Sequence, residues 1–379
     1  MRRTAVMVLL VPLACRPAST DPTGKSASND SAADDTDDTD DTDDTDDTDD
    51  TDDTDDTDDT GPPSDCGPTT WTSGVYELNR GGLNRSFRVH VPEGYDPAVP
   101  APLVMAFHGW GGGESEFLGS SVVTAEADDH GYVVIAPAGL GSGAPDRSWN
   151  SWSFRGSTTG LDGDGQAICD DEATTDYGYA SCDGVAENGC SWTHCQDDDV
   201  EFVVQLVSLA RENLCIDKDS VFAVGGSNGG MFSWELGQNE ASANTFRAIA
   251  PLIGLPHRAH LDPPVRDGGM PVLLITGSRD QTVPPGDWED PAYTTTTDGD
   301  MYYYTGATAI TQVWAEASGC DASVPAARVE VGVSEVECRS YCSGDELWPP
   351  VLDCRSDMGH TYQFSWSWPL VLEFFDQQR

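Results

Sequence analysis

Positive charge is scarce. The 379 residues hold 19 Lys and Arg against 66 Asp and Glu, a formal net charge of −47. Eighteen of the acids lie in one run over 34–60, nine consecutive Asp-Asp-Thr units, yet 61–379 still carries 46 acidic against 15 basic residues. So acidic a surface repels phosphate backbones and anionic head groups, which disfavours nucleic acid as a partner and leaves a lipid anchor as the route to a membrane. Long apolar runs are missing as well. The stretch Ala5-Val6-Met7-Val8-Leu9-Leu10-Val11 is too short to span a bilayer, and no later segment is apolar for long enough. The Cys-x2-Cys spacing of common zinc sites is also absent, so Cys182, Cys190, His194 and Cys195 predict disulfides rather than a metal centre.

Cysteine itself is plentiful, with eleven in the chain, and that usage suggests an oxidising compartment. Arg2-Arg3, the apolar stretch and Leu13-Ala14-Cys15 read together as an export signal over 1–15, ending in a bacterial lipoprotein cleavage site with Cys15 lipidated. Lipidating or removing Cys15 leaves ten cysteines, enough to pair fully. The expectation is an exported lipoprotein of the outer membrane or cell surface, with plain secretion as the alternative. Residues 16–65 have almost nothing apolar and cannot build a core, and like-charge repulsion keeps such a run extended. Its Asp-Asp-Thr units alone reach roughly 90 Å at full extension. This reads as a solvated tether holding a domain over 66–379 off a surface.

Within that domain, 75–78 and 86–91 predict a β-hairpin around Asn79-Arg80-Gly81-Gly82. The continuous apolar run over 102–107 predicts a buried strand, followed by His108-Gly109-Trp110-Gly111-Gly112-Gly113. A helix is expected over 116–130, a strand over 132–136, an irregular stretch over 139–196, and a helix over 197–214 with acidic residues at its start. Further strands are expected over 221–224, 246–251 and 271–276, helices over 228–238 and 308–318, a last strand over 327–333, and a closing helix over 369–377. Nearly all-apolar strands alternating with helices predict an α/β fold, a mostly parallel sheet with helices on both faces.

Gly225-Gly226-Ser227-Asn228-Gly229 falls where a predicted strand meets a predicted helix. That is the context in which Gly-x-Ser-x-Gly lifts a serine hydroxyl above the sheet edge. A serine hydroxyl is a poor nucleophile alone, so the reading requires a base, a carboxylate to orient it, and donors for an oxyanion. Asp280 follows the predicted strand 271–276. His360 is the one histidine of seven that comes after it, so Ser227, Asp280 and His360 form the expected catalytic set. The amides of Asn228 and Trp110 are the expected oxyanion donors, with His108 bracing the Trp110 loop.

His108-Gly-Trp-Gly-Gly, Trp149-Asn150, Cys190-Ser-Trp-Thr-His-Cys195 leading into Asp198-Asp199-Val200, Gly225-Gly-Ser-Asn-Gly-Gly-Met231, Gly277-Ser-Arg-Asp280 and Gly359-His360 occur in order. Over about 74–375 this resembles the polyhydroxybutyrate depolymerase / feruloyl esterase family of secreted α/β-hydrolases. The resemblance implies hydrolysis of carboxylic esters through an acyl-serine, with no metal and no organic cofactor. The implied substrate is polymeric: a feruloyl or acetyl ester on a polysaccharide, or a polyhydroxyalkanoate. Trp149 and Asn150 would line its cleft, and the protein would be a monomer. Asp198 and Asp199 match the family pattern but read rather as a helix cap. A serine peptidase of prolyl-peptidase type, or an inactive binding protein on the same scaffold, are the alternatives. The peptidase reading lacks the propeller domain that usually precedes such enzymes, and the binding reading leaves a full set of catalytic groups unexplained. Asp162-Gly-Asp164-Gly-Gln166 reads as a solvated acidic loop rather than a calcium site, since it lacks the full ligand pattern. Cys320, Cys338, Cys342 and Cys354 are expected to brace the loop that presents His360.

Overall fold

The apolar run over 102–107 becomes the strand against which the architecture is laid out. In the computed structural model the described residues are 66–379 without 68, 142–149, 172, 174–178, 185–188, 290–292, 297–300 and 343–347. The expected signal, Cys15, the Asp-Asp-Thr tether and Trp149 lie outside them. The hairpin strands β1 (Gly74–Arg80) and β2 (Leu83–His90) are followed by β3 (Ala101–Phe107), α1 (Ser115–Leu118), α2 (Ser121–His130) and β4 (Val133–Pro137). Then come α3 (Asp199–Asn213), β5 (Ile216–Gly226), α4 (Asn228–Gln238), β6 (Ala248–Leu252) and β7 (Val272–Gly277). A small ribbon of β8 (Tyr293–Thr295) and β9 (Tyr303–Thr305) precedes α5 (Ala307–Ala317), β10 (Ala327–Val329), β11 (Val336–Ser340), β12 (Val351–Ser356) and α6 (Phe364–Asp376).

Ten strands form one sheet in the order β1-β2-β4-β3-β5-β6-β7-β12-β11-β10. The six from β4 to β12 run parallel, and antiparallel hairpin strands close both edges. Burial follows this arrangement. β3 is buried at every position, whereas the edge strand β1 alternates between half-buried and exposed residues. Leu103, Met105 and Phe107 of β3 face a core built with α3, α4 and α5. Val104 and Ala106 face a second core built with α1, α2 and α6. The expected α/β architecture, with helices on both faces, is therefore the one observed.

Three sequence expectations are corrected. The helix over 116–130 is two helices, because Ser120 turns extended after Gly119 (φ −89°, ψ 124°). The closing helix begins at Phe364, five residues before Pro369, which sits inside it. The run over 327–333 is not the last strand. It holds only the short edge strand β10, and β11 and β12 follow it, with β12 inserted beside β7. β12 reads Val-Leu-Asp-Cys-Arg-Ser and lacks an apolar signature because its buried face holds an ion pair. Asp353 and Arg355, two apart and so on one face of the strand, meet at 2.7 Å.

Ten cysteines pair as Cys66–Cys215, Cys169–Cys190, Cys182–Cys195, Cys320–Cys342 and Cys338–Cys354. The last joins directly opposed residues of β11 and β12, the strand that leads into the loop carrying His360. Asp162 serves its own turn, accepting from the amides of Asp164 and Gln166 and pairing with Arg258 at 3.1 Å. Among the described residues no helix is long and apolar enough to cross a membrane.

Candidate active site

The turn from β5 into α4 is sharp because glycine permits it. A Cβ on Gly225 would lie 2.1 Å from the carbonyl oxygen of Gly229, and one on Gly229 would lie 2.2 Å from that of Phe107. Between them Ser227 adopts φ 52°, ψ −117°, a region that non-glycine residues rarely occupy and that persists only when the surroundings enforce it. Here they do: the Ser227 amide donates to Leu252 O at 2.8 Å, and its carbonyl accepts from the Met231 amide at 2.9 Å. The side chain is thereby aimed off the carboxyl end of the sheet.

Two other strand ends bring groups to it. Asp280 follows β7, and its Oδ1 accepts from the amides of Thr282 (2.9 Å) and Val283 (3.0 Å). Its Oδ2 lies 2.7 Å from His360 Nδ1, and His360 Nε2 lies 2.8 Å from Ser227 Oγ. With the carboxylate accepting from Nδ1–H, the Nε2 lone pair faces the serine hydroxyl. Asp280 is 4% exposed, while His360 stands at the surface. The structure thus brings Ser227, Asp280 and His360 into one hydrogen-bonded line, although 133 residues separate the serine from the histidine.

The loop after β3 flanks this line. Burial depresses the pKa of His108, keeping it neutral; its Nδ1 donates to Gly109 O at 2.6 Å and its Nε2 accepts from the Gly139 amide at 2.8 Å. The Gly109 amide donates to Glu116 Oε1 at 2.8 Å, and the Tyr362 hydroxyl donates to the same oxygen at 2.5 Å. Burial, then the adjacent Glu116 carboxylate, holds the Tyr362 phenol well above its ordinary pKa, so it remains a donor. Asn228 opens α4, where its amide has no carbonyl one turn back to bond. The Asn228 side chain is spent elsewhere, bonding both ways to the Trp152 backbone.

Ser227 and His360 open into a cleft of about 510 Å³ walled by Trp110, Trp192, Tyr302 and Tyr304, with Glu116 and Tyr362 behind. Asn150 is not among its lining residues; it holds the loop from outside, through Gly111 N to its carbonyl (2.7 Å) and its Nδ2 to Gly112 O (3.1 Å). Asp198 caps α3 by accepting from the Glu201 amide, whereas Asp199 is buried against Arg85 and His194 at 2.7 and 2.8 Å. Sequence reasoning missed Glu116, Tyr302, Tyr304 and Tyr362. The one signal for the tyrosine pair was spacing: residues two apart beside a short strand share a face.

A mostly parallel sheet with a strand–serine–helix turn at its carboxyl edge is the architecture of the α/β-hydrolase fold. No family model matches the sequence. Feruloyl esterase C of Emericella nidulans is 28% identical over 187 residues, 49% of this chain and 50% of that protein. Feruloyl esterase D of Neurospora crassa is 27% identical over 198 residues, 51% of this chain and 54% of that protein. The chain thus spans about half the length of the curated relatives it matches. In fold it is similar to an acetyl xylan esterase from Aspergillus awamori, with a TM-score of 0.50 and 15% identity over 80% of this chain and 99% of that one. The chain is thus similar to feruloyl esterases over about half its length and shares its fold with an acetyl xylan esterase.

Proposed function

We propose that the protein is a serine carboxylesterase. The observation that carries the reading is the unbroken Ser227–His360–Asp280 hydrogen-bond line at the mouth of the aromatic cleft. Ser227 Oγ attacks the ester carbonyl carbon as its proton passes to His360 Nε2, and Asp280 steadies the imidazolium that results. The amides of Trp110 and Asn228 take the negative charge on the former carbonyl oxygen. Collapse expels the alcohol, which leaves with the proton from His360, and water repeats the sequence on the acyl-serine to release the acid and restore the hydroxyl. The substrate class is a feruloyl or acetyl ester on a polysaccharide, or a polyester. The names of the sequence relatives favour the feruloyl ester.

Five disulfides suit an oxidising compartment, and with the signal-like start they support export, with Cys15 as a lipid anchor and 16–65 as a tether. Replacement of Ser227 by Ala is expected to abolish turnover of short p-nitrophenyl esters while the protein remains folded. Retained turnover removes Ser227 from the mechanism. Product release from feruloylated arabinoxylan, acetylated xylan and polyhydroxybutyrate, measured side by side, distinguishes the substrates. Replacement of Cys15 by Ser is expected to free the protein from membranes, and unchanged fractionation rules out the anchor.

A further inference from the structure

Three rings of the cleft wall meet one imidazole that stands outside the cleft. His257 is fully buried and is not among the cleft-lining residues. The indole Nε1 of Trp192 donates to His257 Nε2 at 3.2 Å, with the two rings nearly perpendicular (82°) and 5.9 Å apart. Tyr304 stacks on the imidazole at 5.2 Å and 14°, Phe154 stacks at 5.1 Å and 17°, and Tyr302 lies tilted at 6.2 Å. Trp192 comes from the irregular stretch before α3, and the tyrosines from the β9 segment. The two halves of the wall, far apart in sequence, thus share a single ring.

The chemistry of that ring is specific. Burial, then the neighbouring His260, pushes the His257 pKa down to about 3, so the ring is neutral and Nε2 is a bare acceptor wherever the protein is folded near neutrality. Indole N–H only donates, so a buried tryptophan edge needs such a partner. A phenylalanine would stack between Phe154 and Tyr304 equally well without the desolvation cost of a buried imidazole. What histidine adds at this position is the acceptor, and the acceptor fixes the Trp192 plane.

We propose that His257 is a positioning residue for substrate selection: it sets the cleft wall formed by Trp192, Tyr302 and Tyr304, so that a flat aromatic acyl group is favoured over a short aliphatic one. This rests on the ester-hydrolase reading above. The test compares kcat/KM for p-nitrophenyl cinnamate and p-nitrophenyl acetate, which share a leaving group. His257→Phe is expected to lower the cinnamate-to-acetate ratio about three- to tenfold, the worth of one neutral hydrogen bond, through KM for cinnamate. Its kcat on acetate should stay within about twofold of wild type. His257→Gln, which can present an acceptor to Trp192, is expected to recover part of the ratio. An unchanged ratio, an equal loss on both esters, or a wild type that turns over acetate but not cinnamate overturns the inference. If His257→Phe does not fold, Trp192→Phe removes the donor instead, and an unchanged ratio in it has the same force. A wild type inert towards both esters is a different result, and it defeats the hydrolase reading itself.

Discussion

Arg85 and Asp199 meet at 2.7 Å with neither side chain exposed, tying the hairpin at one edge of the sheet to the start of α3. Asp199 Oδ2 also takes His194 Nε2 (2.8 Å) and the amide and hydroxyl of Ser153 (2.8 and 2.9 Å), so this carboxylate anchors the stretch that carries Trp192. Burial alone would raise its pKa. The His194 imidazole and the Arg85 guanidinium outweigh burial and hold it well below the usual carboxylate range.

A folded-state pKa below the unfolded one makes Asp199 a source of stability that is fully present above about pH 4 and lost as pH falls through the depressed folded value. Replacement of Arg85 by Met leaves the carboxylate buried against one fewer cation and should cost roughly 3–5 kcal/mol at neutral pH. Urea unfolding at pH 7 and at pH 3 checks this. The gap between wild type and variant should narrow at the lower pH, and a pH-independent gap would contradict the assignment.

Three aspartates compete for the role beside His360, and their surroundings separate them. Asp280 bonds Nδ1 directly, Asp353 is buried against Arg355 in the middle of β12, and Asp357 pairs with Arg279 on the surface. Asp280→Asn should lower kcat by about 10⁴ with the fold intact, since an amide stabilises the wrong imidazole tautomer. Asp353→Asn should cost stability instead, and Asp357→Asn should change neither. A collapse of kcat in either of the last two, measured on folded protein, would place the acid elsewhere.

The sharp turn at Ser227 was legible because its constraint is local: glycines on either side of a serine, at a strand–helix junction, leave few other conformations. Asp280 and His360 were legible from chain order and strand ends. β12 was not, since a strand stabilised by a buried Asp353–Arg355 pair looks polar, and alternation cannot reveal a charge neutralised across two residues. The cleft wall was hidden for another reason. Trp192 and the Tyr302–Tyr304 pair lie in stretches with little regular structure, held by Cys169–Cys190 and by the ring of His257, and those partners are set by the tertiary fold alone.

Cys169 pairs with Cys190, two residues before Trp192, and also bridges to Tyr302 in the opposite part of the wall. Replacing both cysteines with serine opens a loop of 21 residues in the denatured chain, which should cost on the order of 3 kcal/mol. It should also raise KM for cleft-filling esters more than for acetate. Thermal unfolding and paired ester kinetics read the two effects separately, and an unchanged KM would detach this disulfide from the cleft.

Glu116 offers the sharpest division between position and charge. A single oxygen of its carboxylate accepts from Gly109 N, in the loop that presents Trp110, and from the hydroxyl of Tyr362, two residues past His360. It therefore clamps the proposed oxyanion loop to the histidine loop, at the electrostatic cost of placing a carboxylate near a site where negative charge develops. If the clamp dominates, Glu116→Ala should lower kcat by about 10², comparable to the loss of one oxyanion donor, with KM little changed. Glu116→Gln keeps a carbonyl acceptor for both donors and should retain most of the rate. If the charge dominates, Glu116→Gln should exceed wild type. Steady-state kinetics of the two variants decide, because the clamp predicts Gln close to wild type and Ala far below it, an order that charge removal alone cannot produce.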